Sequence, residues 1–127
     1  PILLLPHFGI CQTIRNSNSK LMVSINNGEF RDSYSRKIGS INRDGVVRNS
    51  SSKKLGIIQD GKVVNENGLT IYKYDGSGAV RDKNGRVIYR IGNNGDIRNS
   101  SGQLVFKYEG IELTYVIGYL CFFNSGA

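Results

Sequence analysis

The residues of this 127-residue chain best suited to binding chemistry are five arginines that occupy one position of a repeated motif. A guanidinium group is planar and offers several N–H donors, so it suits phosphate and carboxylate groups. If the fold places equivalent repeats in a circle, these arginines form a ring of positive potential. We therefore predict a binding site for an acidic glycan or other polyanion at Arg15, Arg31, Arg48, Arg81 and Arg98.

A structural role for the same arginines competes with this prediction. Each could pair with a nearby carboxylate, such as Asp32 or Asp82, or with turn carbonyls, and so brace adjacent hairpins. Exposed ion pairs of this kind are common and contribute little energy. The sequence leaves both roles open, and four further basic residues would assist a binding role: Arg36, Lys37, Lys53 and Lys54.

The charge balance favours an anionic partner. The chain has 17 Lys and Arg against 10 Asp and Glu, a net charge of +7. Residues 1–64 contain ten basic and four acidic groups, whereas residues 65–127 contain seven and six. The basic half has no aromatic platform on which bases could stack, which argues against sequence-specific nucleic-acid recognition.

Catalytic and metal-binding groups are sparse. His7 is the only histidine, and Cys11 and Cys121 are the only cysteines, so we expect no nucleophile–base pair of the usual kind. The segments 42–45 and 75–78 distantly resemble calcium loops but lack the run of acidic oxygens. We predict a protein that is not an enzyme and has no metal or cofactor. A small hydrolase with two carboxylates from different hairpins, about 5–10 Å apart, is the alternative.

The arginine motif belongs to a unit that occurs six times. Copies start at residues 13, 29, 46, 62, 79 and 96, which gives a period of 16 or 17 residues. Asn-Gly and Asp-Gly dipeptides, typical of tight β-turns, separate short runs rich in Val, Ile, Tyr and Phe. Each unit is therefore predicted to be a β-hairpin, and the chain to be all-β.

The strand period of two predicts which side chains share a face. In the first strand of each hairpin the apolar residue and the Asn or Asp should lie together, with the Arg between them on the opposite face. In the second strand Ile38 and Ile41 should face opposite ways, so both faces would carry apolar groups. Gly39 and Gly56 occupy the slot that Tyr72, Tyr89 and Phe106 fill in later copies.

The carboxyl-terminal stretch 115–123 is strongly apolar and aromatic. Because a lone hairpin is marginally stable, the hairpins must bury their faces against one another. We predict that this stretch closes or plugs the centre of the assembly as a strand. The alternative is an exposed tail that associates with a membrane, and its length is far short of a span.

Residues 1–12 are predicted to be the remnant of a signal peptide, and residues 13–127 a single domain of hairpin repeats. The run from Ile2 to Ile10 is apolar but too short to span a bilayer. Cleavage after Cys11 would leave Gln12 as the first mature residue. An edge strand of the fold, a lipidated Cys11 and a Cys11–Cys121 disulfide are the alternatives.

The repeated Val-Arg-Asn/Asp-Ser-Ser-Gly-Arg-Lys-Ile-Gly pattern, clearest at residues 30–39, 47–56 and 97–102, resembles the five-fold β-flower proteins. This resemblance covers residues 13 to about 123 and implies hairpins arranged radially around an axis. It also implies export to the periplasm, the cell surface or the medium of a Gram-negative bacterium, with no established activity. Here six copies are counted rather than five, and Val64 replaces Arg in the fourth. The segment 72–76 also resembles the Tyr-Asp repeats of large shell-forming toxins, which need many more copies.

The functional prediction that follows is a non-enzymatic, exported structural or interaction module of the bacterial envelope. The alternative is a binding protein that holds an anionic glycan or other polyanion through the arginine series. No membrane span is predicted, and sequence-specific binding of nucleic acid is not expected.

Overall fold

The computed structural model describes residues 12–124, which form twelve short antiparallel strands followed by one short helix and a π-helical turn. The odd-numbered strands are β1 (Thr13–Asn16), β3 (Glu29–Asp32), β5 (Val46–Asn49), β7 (Lys62–Asn65), β9 (Ala79–Asp82) and β11 (Asp96–Asn99). The even-numbered strands are β2 (Leu21–Asn26), β4 (Lys37–Ile41), β6 (Lys54–Gln59), β8 (Thr70–Tyr74), β10 (Val87–Ile91) and β12 (Leu104–Glu109). The helix α1 is Leu113–Gly118, and the π-helical turn is Tyr119–Phe123.

The strands close into a single barrel. Each strand pairs with the strands before and after it, and β12 pairs with β1 through partners such as Ile14 and Tyr108. Closure leaves no strand edge unpaired, which removes the template for edge-to-edge association. The predicted all-β fold is thus confirmed, and all six hairpins join one ring around one axis. Neighbouring hairpins are also hydrogen-bonded to each other.

The core of the wall is a ring of one residue from each odd-numbered strand. The second residue of each of these strands is fully buried. The next residue in each strand is exposed or half-buried, as the predicted alternation requires. The buried ring consists of Ile14, Phe30, Val47, Val63, Val80 and Ile97.

Every hairpin carries a β-bulge in its second strand. The prediction that residues such as Ile38 form a second apolar face is therefore wrong. In the second hairpin Phe30 faces Gly39 and Arg31 faces Lys37, so Ile38 has no partner. An extra residue of this kind breaks the alternation and bends the strand. The bulged residues therefore pack against the core instead of forming a second apolar face on the outside. They are Met22, Ile38, Leu55, Ile71, Ile88 and Val105.

The carboxyl-terminal segment does plug the barrel, but the prediction that it is a strand is wrong. It forms α1 and the π-helical turn, with Val116 and Ile117 fully buried. Inside a closed barrel no strand edge is free, so an extended segment would leave its buried backbone groups unpaired. A helix satisfies those groups within itself, and this requirement overrides the β propensity of the segment. The predicted alternative of an exposed tail is excluded by the same burial.

Glycines in the wall leave space for side chains of the plug, and a glycine in the plug leaves space for a side chain of the wall. A Cβ at Gly39 would overlap the ring of Phe123, and a Cβ at Gly56 would lie 2.7 Å from Cζ of Phe122. A Cβ at Gly118 would overlap the side chain of Ile41. In the later hairpins the equivalent positions carry Tyr72, Tyr89 and Phe106, whose side chains belong to or pack against the core.

We expect Gly56→Ala to lower the free energy of unfolding by about 1–3 kcal/mol, because its methyl group would overlap both Phe122 and the backbone carbonyl of Val64. Gly76→Ala is the matched control, since nothing lies within 4 Å of its added Cβ. That variant should stay within about 0.5 kcal/mol of the parent in urea unfolding. Equal stability of the two variants would contradict the packing described here.

Candidate functional site

The five predicted arginines lie on the outside of the barrel, one per hairpin in every hairpin but the fourth. All five are exposed, and each donates a hydrogen bond from Nη1 to the carbonyl oxygen of the residue four positions later. These bonds are Arg15–Ser19 (3.1 Å), Arg31–Ser35 (2.7 Å), Arg48–Ser52 (3.0 Å), Arg81–Gly85 (3.1 Å) and Arg98–Gly102 (3.0 Å). Each arginine therefore stabilises the turn of its own hairpin. This is the contact with turn carbonyls that the sequence analysis gave as the structural alternative. The fold spreads the five around the barrel and does not bring them into one cluster.

The carboxylate partners of the arginines differ from those named in the sequence analysis. Arg31 pairs with Glu29 at 2.8 Å, and Nη2 of Arg98 lies 3.5 Å from Asp96. Asp32 instead accepts from Arg36 at 3.0 Å. Hydrogen bonds from the backbone N–H groups of Arg36 and Tyr34, together with the Arg36 charge, hold the pKa of Asp32 below its ordinary value.

The Asn or Asp that follows each arginine position is the residue whose role sequence reasoning missed. In all six hairpins its Oδ1 accepts hydrogen bonds from the backbone N–H groups two and four residues later. Such Asx turns mimic a backbone turn with a side chain. The signal was present, because Asn or Asp recurs at this position even where Val64 replaces Arg. The six residues are Asn16, Asp32, Asn49, Asn65, Asp82 and Asn99.

The four assisting basic residues are mostly engaged with acidic neighbours. Arg36 pairs with Asp32, Lys37 lies 3.6 Å from Glu29, and Lys53 lies 3.7 Å from Glu66. Lys54 is exposed and faces Arg48 across the hairpin. The charges of three of these four residues are thus partly neutralised by acidic neighbours.

A cavity of about 410 Å³ lies at the mouth of the barrel, beside the Asx turns. It is bordered by polar groups of Asn16, Asn99 and Tyr89 and by the apolar side chains of Val105 and Phe106. Nδ2 of Asn124 donates to Oη of Tyr89 at 3.2 Å and so holds the end of the plug against the wall. The acceptor oxygens of Asn16 and Asn99 are already bonded to their own turns. Nδ2 of Asn99 also donates to Oε1 of Gln103 at 3.1 Å, so most polar groups around this cavity are engaged with the protein itself.

Segments 42–45 and 75–78, which resemble calcium loops, are turns whose side-chain oxygens accept hydrogen bonds from within the same turn. Oδ1 of Asp75 accepts from the Ser77 hydroxyl at 2.5 Å and from the Ser77 N–H at 3.0 Å. The first of these bonds is the main cause of the lowered pKa of Asp75. Oδ1 of Asn42 accepts from the N–H groups of Asp44 and Val46 in the same manner. Among residues 12–124, no group of three or more His, Cys, Asp and Glu side chains is placed to hold a metal ion.

Two titratable groups of the plug are held in their neutral forms. Burial raises the pKa of the Cys121 thiol to about 12 and that of the Tyr119 hydroxyl also to about 12. The thiolate is the reactive form of cysteine, so this thiol is a poor nucleophile near neutral pH. His7 and Cys11, and with Cys11 the disulfide considered from the sequence, lie outside the described residues.

The raised thiol pKa predicts a loss of stability in alkali. The unfolded chain releases the Cys121 proton near pH 8.5, whereas the folded chain retains it up to about pH 12. The contribution is therefore complete below pH 8.5 and is lost as the pH rises toward 12, by at most about 1.4 kcal/mol per pH unit. Urea midpoints measured from pH 8 to 11 should fall less steeply in Cys121→Ala than in the parent. Parallel slopes would contradict the burial of this thiol.

The repeat pattern, the ring of hairpins and the aromatic carboxyl-terminal segment agree with a comparison to known families. The family described as 5-fold beta-flower protein matches residues 11–124. No curated protein and no solved structure matches the chain. Because the family match spans nearly the whole chain and includes all twelve strands and the plug, this protein belongs to the 5-fold beta-flower family.

Proposed function

We propose that this small repeat module is a non-enzymatic structural or interaction unit that is exported to the bacterial envelope. The observation that carries the proposal is the filled centre of the barrel. The wall packs against the chain's own α1 and π-helical turn, with Val116, Ile117, Tyr119 and Leu120 buried. A macromolecular partner must then contact the rims and the outer surface, where the charged residues lie.

Export is supported by the amino-terminal sequence. The apolar run from Ile2 to Ile10 has the character of the central region of a signal peptide, and the family match begins after it, at residue 11. Within residues 12–124, no helix has the length and apolar character needed to cross a membrane.

Fractionation of a Gram-negative host that expresses the complete gene tests export. We expect the protein in the periplasm or the medium, with Gln12 as its first residue by mass spectrometry. Replacing Leu4 and Leu5 with Arg should retain the protein in the cytoplasm, because charges disrupt the apolar region of a signal. Cytoplasmic parent protein with residues 1–11 intact would reject the export proposal.

A second candidate function is the binding of an anionic glycan or other polyanion, and the exposed arginine series favours it. Each turn bond engages Nη1 of an arginine, and the side chains remain exposed to solvent. In Arg31, Nε and Nη2 also donate to Glu29. The turn bond also restrains the side chain, which reduces the entropy lost when a ligand is bound.

Heparin chromatography distinguishes specific polyanion binding from retention that is due to net positive charge alone. The parent should elute at higher salt from heparin than from a sulfopropyl matrix, because a linear polymer contacts several cations at once. Replacing Arg15, Arg31 and Arg48 with Gln should reduce retention and also lower the melting temperature, since three turn bonds are lost. A lower melting temperature with unchanged retention would assign these arginines to hairpin stability alone.

A further inference from the structure

Three strand pairs place one basic side chain directly opposite another on the outside of the barrel. Lys73 of β8 faces Arg81 of β9, and Arg90 of β10 faces Arg98 of β11. Lys107 of β12 faces Arg15 of β1. Side chains opposite each other in antiparallel strands have Cβ atoms about 4.5–5.5 Å apart, and like charges there are destabilising.

The fold does not require these like-charge pairs. Each of them joins two successive hairpins, and the three equivalent junctions in the rest of the barrel carry other combinations. Those combinations are Ser24 with Arg31, Ser40 with Arg48, and Ile57 with Val64. The like-charge pairs between successive hairpins are therefore confined to one continuous face, formed by β8 to β12 and β1, which we call the basic face.

Charge on the basic face is poorly compensated. Among the described residues, its ion pairs come from Asp96 alone, which lies 3.5 Å from Nη2 of Arg98 and 4.0 Å from Nζ of Lys107. Two other carboxylates lie near the face without a close ion pair there. Asp75 interacts with Arg81 only at longer range, and Glu109 follows Lys107 by two residues in β12. Six cations thus share one carboxylate at ion-pair distance. Elsewhere Glu29 contacts both Arg31 and Lys37.

One basic pair within a hairpin borders this face, because Lys62 of β7 lies opposite Lys73 and adds a cation at its edge. The other two such pairs do not extend it. Arg31 faces Lys37 next to Glu29, and Arg48 faces Lys54. The latter pair is separated from the basic face by the apolar junction of Ile57 and Val64. Five of the six cations of the basic face thus belong to residues 65–127, although residues 1–64 carry the larger excess of basic residues along the chain.

We propose that the basic face binds a flexible anionic glycan that runs around the barrel, across the strands. This inference rests on the polyanion candidate above and names its surface and ligand. The face presents one cation per strand, at a spacing of about 4.8 Å. A bound chain of sulfate or carboxylate groups would neutralise the like charges that oppose one another there.

A glycan fits this face better than a nucleic acid does. The face is convex, and duplex DNA is stiff over this distance, with a persistence length of about 150 base pairs, so a straight duplex would touch only part of it. Single strands bind through bases stacked on aromatic side chains. Within residues 12–124 the exposed large hydrophobic side chains are Tyr34 and Leu69, and neither belongs to the basic face.

Two variants with the same change in charge test the proposal. The face variant replaces Lys73, Arg90 and Lys107 with Gln, and none of these residues makes one of the turn bonds described above. The control variant replaces Lys37, Lys53 and Lys54 with Gln. Binding of heparin fragments is measured by calorimetry at several salt concentrations, with melting curves of both variants.

We expect the face variant to bind heparin at least tenfold more weakly than the parent, with the control variant within threefold. The slope of log K against log salt should fall by about two to three in the face variant, because each lost ionic contact removes about one. Its melting temperature should equal or exceed that of the parent, since repulsion is relieved.

The outcomes separate the two levels of the proposal. Equal weakening in both variants would reject the basic face and leave polyanion binding in place. Absence of heparin binding by the parent would reject the polyanion candidate together with the face. Tighter binding of a single-stranded DNA oligonucleotide of matched charge, lost in the face variant, would overturn the choice of a glycan.

Discussion

The filling of the barrel's centre is the constraint on which the rest of this structure depends. A barrel of eight strands is just wide enough for its own side chains to fill, whereas twelve strands enclose a wider space. The chain fills that space with its last helical turns, whose rings pack on the wall: Phe123 lies 5.0 Å from Phe30, and Tyr119 lies 5.6 Å from Phe106 between ring centroids. Wall and plug are thus complementary in volume, with Gly39 and Gly56 of the wall making room for the rings of Phe123 and Phe122.

The repeated motif is best understood as a device for building turns. The Asn or Asp closes the turn through its side-chain oxygen, and the arginine before it binds the carbonyl at the far side of the same turn. Both interactions are local to one hairpin, so the motif can be copied without regard to the neighbouring hairpin. A bracing role and a binding role are compatible, because bracing holds an exposed guanidinium in a defined orientation.

Much of the candidate site could be predicted from the sequence, but its main partners could not. The period of the motif placed the five arginines correctly on equivalent, outward positions. Lys73, Arg90 and Lys107 belong to no motif, and they become notable only because the pairing between successive hairpins sets each against a basic residue. Counting charges along the chain pointed to residues 1–64, whereas five of the six face cations belong to residues 65–127, because strand pairing decides which charges are neighbours.

By itself the sequence determined the local features of this protein: six hairpins, the positions of their turns, and the inward or outward direction of residues in the first strands. These depend on turn chemistry and on alternation over a few residues. Only the tertiary structure decided the closure of the ring, the turning of bulged residues such as Ile38 toward the core, and the helical form of residues 113–123. Each of these features depends on which backbone groups are already hydrogen-bonded in the rest of the fold. Because no strand edge in the barrel is unpaired, the carboxyl-terminal segment must form its backbone hydrogen bonds within itself.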